Sequence, residues 1–212
     1  MLASKTVQEL LDAFSAPTPT PGGGSAAALA GAVAASLLAM VAAMPKTKNG
    51  TPEDRAALDT AHPEILSLRT KFVELIDTDA ASYDGVVAAY RLPKATDAEK
   101  AARKTAVGKA MRHATDVPLE TARAASRLLS LGRIVADHGN ANAASDCGVA
   151  VTLAQSTATG ALMNVRTNLS GMADADYVAR VQAEMSRLTQ DIAVVLAPIY
   201  SALGWKGHQP PQ

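Results

Sequence analysis

PTPTPGGGSAAALAGAVAASLLAM, residues 17–40, decides how this chain is read. Three prolines and three glycines come first, and a run of small apolar residues follows. Proline and glycine punctuate the backbone, while alanine is the strongest helix former, so the stretch reads as a loop that opens into a helix. The run from Ser25 to Met44 has about the length that a bilayer requires. Half of its positions are alanine, however, and no aromatic belt or one-sided basic cluster flanks it. The expectation is a buried helix of a soluble protein rather than a membrane span.

Composition agrees. Of the 212 residues 48% are hydrophobic but only 3% aromatic, so the apolar content is mainly Ala, Leu and Val, which favours closely packed helices. Twenty basic and twenty acidic residues cancel, which leaves no bulk field for nucleic acid or anionic lipid. The single cysteine, Cys147, cannot form an internal disulfide, and a cytoplasmic location is expected. The apolar run follows a Pro/Gly-rich segment rather than a short basic one, so it does not read as a secretory signal.

Outward from the opening stretch the chain reads as helix after helix, with no strand pattern. Residues 4–14 place Val7, Leu10, Leu11 and Phe14 at helical spacing with Ser4 as N-cap. Further helices are predicted over about 25–44, 53–91, 97–137, 142–169 and 174–203. Pro118 is expected to kink or split the fourth. The reading is one all-α domain over residues 1–205, a bundle of five or six long helices, followed by a frayed tail at 206–212. Long helices with small-residue faces favour burial against a second copy, and a homodimer is expected.

Three polar constellations stand out. Gly22, Gly23 and Gly24 can take positive φ and offer no Cβ to obstruct a ligand, and Ser25 is placed to cap the helix that follows. The first free N–H groups of that helix would favour an anionic or carbonyl group. The stretch matches neither the Walker loop nor a dinucleotide fingerprint, and a tight turn with close packing of Ala27, Gly31 and Ala35 explains it equally well. In the fifth helix Asn164 falls directly below Asp146, about 27 Å along the axis, with Asn168 about 40° away. Asn140 and Asn142 lie in the turn before it. This face suits a long, flat, partly polar ligand, and a helix–helix seam is the alternative. In the third helix Asp79, Tyr83 and Tyr90 share a stripe roughly 40° wide, and Lys94 follows beyond Pro93. Core tyrosines are the alternative there. His62, His113, His138 and His208 share no metal-ligand spacing, so no metal site is expected.

PTPGGGSAAALAG, DTDAASYDGVVAAYRLPK, VPLETAR, GNANAASDCGVA and NVRTNL, in this order over nearly the whole chain, resemble the cyclodeaminase/cyclohydrolase family. That family comprises the C-terminal half of formiminotransferase-cyclodeaminase and the stand-alone bacterial methenyltetrahydrofolate cyclohydrolases. The resemblance implies a helical homodimer that binds tetrahydrofolate derivatives and works at the N5/N10 bridge without metal or nicotinamide. It implies proton transfer by Asp146 and Lys94, with Asp79 as a further carboxylate. Asn140, Asn142, Asn164 and Asn168 would hold polar groups of the folate, and Gly22–Ser25 would close over it. Where many members carry a Lys-rich TIGKKKY-like segment, this chain reads MPKTKNGTPED, with Lys46 and Lys48 as the cations available to a polyglutamate tail. A non-catalytic folate-binding bundle, and a structural or membrane-associated one, are the other readings.

Overall fold

The computed structural model describes residues 1–45 and 50–205. Among them are six α-helices and no strand: α1 Val7–Ser15, α2 Gly23–Ala43, α3 Pro52–Tyr90, α4 Asp97–His138, α5 Ala144–Leu169 and α6 Ala175–Ala202. Lys46, Lys48, His208 and the tail expected to fray lie outside the described residues.

Reciprocal capping boxes fix three helix starts. Thr6 and Glu9 open α1, Thr51 and Asp54 open α3, and Thr96 and Glu99 open α4. Each box satisfies two backbone donors at once. That is why α1 starts after Thr6 rather than after Ser4, which instead closes a short 3-10 turn, Leu2–Ser4. Asp174 caps α6 by accepting from the Tyr177 N–H.

The middle of the bundle is α2, and it is apolar nearly all round. Ala28, Ala34, Ala35, Leu38 and Ala42 are fully buried. Its mean hydropathy of 2.1 and its length would suffice to cross a bilayer, but 56% of that window is buried inside the protein, as in a core helix. Packed against it, α3 and α5 both run antiparallel to it: Ser25 meets Asp79, Gly31 meets Phe72 and Ala27 meets Gly160. A Cβ on Gly31 would stand 2.6 Å from the Phe72 ring, so the fully buried aromatic needs that glycine. Antiparallel to both α3 and α5, α4 closes the core, and α6 is clamped across α4 by Arg123–Glu184 at 2.7 Å and by Arg112–Asp174.

α4 is not split at Pro118; it continues unbroken to His138. A proline inside a helix leaves the carbonyl four residues earlier without its donor, here that of Ala114. The side-chain amide of Asn168, on α5, donates to that carbonyl at 2.6 Å. A buried orphan acceptor is thereby satisfied from a neighbouring helix. We expect Asn168→Ala to cost about 1–3 kcal/mol, the usual penalty for a stranded buried acceptor. In a Pro118→Ala background that cost should shrink markedly, because the alanine restores a backbone N–H that takes over the carbonyl. Urea denaturation of the four proteins checks this, and an equal cost in both backgrounds would contradict it.

Candidate functional site

Gly22–Ser25 is not a left-handed loop. Gly22 is the extended N-cap of α2 at φ −120°, and the helix starts at Gly23. Only Gly204 has positive φ among the described residues. The glycines serve another purpose: a Cβ on Gly24 would overlap the carboxylate of Asp79, and one on Gly23 would lie 3.4 Å from Asn164 Nδ2. The absent side chains make room for a carboxylate from α3 and a carboxamide from α5 at the N-terminus of α2.

Ser25 is not the cap that its position promised. It sits inside the helix, wholly buried, with Oγ 2.9 Å from the Ile76 carbonyl oxygen and 3.0 Å from Asp79 Oδ2. The Ser25 backbone N–H also faces the Asp79 carboxylate. α2 has no side-chain cap of its own, so Asp79 supplies one from across the groove. Burial pushes the Asp79 carboxyl above its ordinary value, and the hydroxyl and N–H of Ser25 offset part of that rise.

Asn164 and Gly23 place the C-terminal part of α5 at this same end. Asn164 Nδ2 donates to the Gly160 carbonyl of its own helix. Asn168 donates its side-chain amide to the Ala114 carbonyl, where it compensates for Pro118. Tyr83 and Tyr90, on the far turns of α3, are 42% and 52% exposed, so they are surface rings rather than core tyrosines. Arg103 packs its guanidinium 5.4 Å from the centre of the Tyr90 ring. Lys94 is exposed beyond the end of α3.

Asp146 lies elsewhere. It stands in the first turn of α5, half-buried and with no ion pair or hydrogen bond among the described residues. The antiparallel register of α2 and α5 sets it beside the last turn of α2, about 27 Å from Asn164. Asn140 joins it at that end, where its Nδ2 donates to the Pro45 carbonyl and its Oδ1 accepts from the Asn142 N–H. The asparagine pair therefore shapes a 3-10 turn, Ala141–Ala143, rather than capping α5 directly. Lys94, past Tyr90, is a further ~16 Å beyond Asp79 in the opposite direction. Within one protomer the structure does not bring Asp146 and Lys94 together.

Two grooves open in the described surface. One of about 610 Å³ runs between α2 and α3 along Val33, Leu37, Met40 and Val73, and one of about 1020 Å³ separates α5 from α6. Neither is lined by the residues discussed above. No group of three His, Cys, Asp or Glu side chains is positioned to hold a metal among the described residues.

The family model of formiminotransferase-cyclodeaminase matches residues 6–187. The chain belongs to that family. It is 36% identical over 203 residues to a methenyltetrahydrofolate cyclohydrolase of Methylorubrum extorquens, a match that covers 96% of this chain and 98% of the relative. It is 28% identical to the formimidoyltransferase-cyclodeaminase of Gallus gallus, of which it spans 37%. The crystal structure of a formiminotetrahydrofolate cyclodeaminase from Thermotoga maritima shares its fold at a TM-score of 0.85, with 24% identity and 96% of this chain covered.

The interaction that sequence reading missed is Ser25 with Asp79, separated by 54 residues. Spacing within either helix carries no signal of it. The missing Cβ of Gly24, which the sequence offers as room for a ligand, is room for Asp79. Asp79 also gives a pH prediction. Its carboxyl is raised in the fold, so the folded protein holds a proton that the unfolded chain releases at lower pH. Stability from this group is complete below the ordinary carboxylate range and is lost as pH rises through the raised value. Asp79→Asn, which cannot ionise, should therefore melt higher than the parent protein at neutral pH, with the gap closing toward about pH 4. Thermal melts at several pH values test this. A gap that widens on acidification would contradict the sign.

Proposed function

We propose that this chain is a folate one-carbon enzyme acting at the N5/N10 bridge of tetrahydrofolate, as methenyltetrahydrofolate cyclohydrolase and, through the same tetrahedral carbon, formimidoyltetrahydrofolate cyclodeaminase. The likeness to the Methylorubrum extorquens cyclohydrolase over nearly the full length of both chains supports the cyclohydrolase reading first. The observation that carries the site is the Asp79 carboxylate, half-buried and set on a glycine that must lack a Cβ to admit it. A carboxyl raised by burial holds its proton more tightly than an exposed one, which suits it to proton transfer.

In cyclohydrolysis, water adds to the cationic methenyl carbon as a base takes its proton. The new hydroxyl then gives up its remaining proton as the carbon–N5 bond breaks and N5 takes a proton, leaving the formyl group on N10. In cyclodeamination, N10 attacks the formimidoyl carbon and loses a proton, and the departing nitrogen gains protons to leave as ammonia. Neither path changes oxidation state, so the chemistry asks for no nicotinamide, and proton transfer alone suffices without a metal. Asp79, Asp146 and Lys94 are the groups to which we assign these proton movements. To Gly22–Gly24, Tyr83, Tyr90, Asn140, Asn142 and Asn164 we assign the contacts with the pterin and aminobenzoyl groups.

A single protomer keeps Asp146 on the order of 40 Å from Lys94 along the bundle. One site can hold both only if two copies contribute. On the exposed apolar strip of α2 and α3, Val33 at 45% and Val73 at 39% sit midway between the Asp79 and Asp146 ends. A two-fold axis through that strip would set Asp146 of the partner subunit beside the Asp79 end of the first protomer. The reading is a homodimer whose active sites straddle the interface; the balanced charge and single cysteine support a cytoplasmic enzyme without a nucleic acid or membrane partner.

The kinetic test follows methenyltetrahydrofolate absorbance decay beside ammonia release from formimidoyltetrahydrofolate. We expect Asp146→Asn and Lys94→Met each to lose on the order of 10²-fold in turnover while remaining folded. Mixed and refolded together, the two inactive variants should recover about a quarter of the parent activity, because a mixed dimer rebuilds one of its two sites. Absence of decay in the parent protein, with folate still bound, would favour the non-catalytic binding reading. Failure to recover on mixing would contradict the shared site.

A further inference from the structure

The hydroxyl of Ser25 stands between two acceptors and has one hydrogen to give. Oγ is 2.9 Å from the Ile76 carbonyl oxygen and 3.0 Å from Asp79 Oδ2, and the residue is completely buried, so no bulk water competes for it. If Asp79 is ionised, the hydroxyl hydrogen must go to the carboxylate. The Ile76 carbonyl then keeps only its helical bond from the Ala80 N–H, which is enough to satisfy it. If Asp79 is protonated on Oδ2, that O–H donates to Ser25 Oγ and the serine hydrogen turns to Ile76. Both states leave every buried polar atom partnered. They differ by a rotation about the Ser25 Cβ–Oγ bond and one proton.

We propose that Ser25 is a positioning residue that lets Asp79 hold or release its proton without moving the carboxylate. The proposal rests on the reading of Asp79 as a proton carrier, and it concerns a residue too deeply buried to touch a folate. The groups that face Asp79 leave Ser25 in control. On α2 they are the Ser25 hydroxyl and N–H, and the effects on the carboxyl come from burial and from Ser25. From α5 the nearest polar side chain at this end is the neutral Asn164, over Gly23. On α4 at this end Lys109 and His113 are exposed, Arg112 is paired with Asp174, and Asp116 accepts from the Tyr177 hydroxyl. On α3 itself Asp77 turns to the backbone N–H groups of Leu2 and Ala3, and Tyr83 is exposed one turn on. Among the described residues no lysine or arginine acts on Asp79, so the Ser25 hydroxyl is the side-chain donor on which the charged form depends.

The test uses the full-length protein and reads the Asp79 carboxyl directly, by carbon-13 NMR titration of side-chain-labelled aspartate, assigned by comparison with Asp79→Asn. Ser25→Ala removes the donor that favours the ionised form, and the Asp79 titration should move upward by about one unit. The pH profile of turnover on methenyltetrahydrofolate should move with it. Ser25→Cys keeps a similar volume with a weaker donor and should shift in the same direction by less. It also serves as the readout should Ser25→Ala fail to fold. In an Asp79→Asn background, Ser25→Ala should leave the pH profile of the residual rate unchanged. An Asp79 titration that stays put in folded Ser25→Ala or Ser25→Cys overturns the inference. Full turnover in Asp79→Asn would remove the catalytic reading instead, and the NMR shift would still decide what Ser25 does to its carboxyl.

Discussion

Everything at the candidate site depends on how closely α3 can approach α2. Two missing Cβ atoms set that distance. Gly31 receives the ring of Phe72, the largest fully buried side chain, and Gly24 receives the carboxylate of Asp79 two turns away. The first contact is apolar and belongs to the core. The second brings an ionisable group into contact with a helix N-terminus that has no side-chain cap of its own. The same close approach therefore packs the bundle, partly removes Asp79 from water and gives α2 a carboxyl partner at its positive end. Burial wins over the helix terminus and the serine, which is why the carboxyl is raised rather than lowered.

The fold was legible because its period is simple. Alanine and leucine at helical spacing, with proline and glycine at the breaks, are enough to place six helices whose ends fall within a few residues of the reading. The errors are local competitions that periodicity cannot settle. Thr6 outcompetes Ser4 as a cap because Glu9 completes its box. Pro118 fails to break α4 because a side chain far along the sequence satisfies the carbonyl it strands.

The site was legible in its residue types and illegible in its assembly. The GGGS stretch, Asp79 and Asn164 do converge, although for a reason that positive φ did not anticipate. Asp146 and Lys94 do not converge within a protomer, because the register between helices, which no single helix encodes, sets them at opposite ends. Asn168 looked like a ligand contact on helical geometry alone, and its structural duty became visible only beside Pro118. Spacing along one helix carries no information about a polar group whose partner lies on another helix, and Asp79 and Asn168 are both of that kind.

The central claim is that folate chemistry takes place at the N-terminus of α2, between two copies of the chain. A crystal structure of the complex with 5-formyltetrahydrofolate, a stable relative of the reacting species, tests it most directly. The account predicts the N5/N10 region within hydrogen-bond reach of Asp79, over Gly22–Gly24, with Asp146 of the partner subunit closing the other side. A ligand held wholly by one protomer away from the glycines, for example in the groove between α5 and α6, would contradict it.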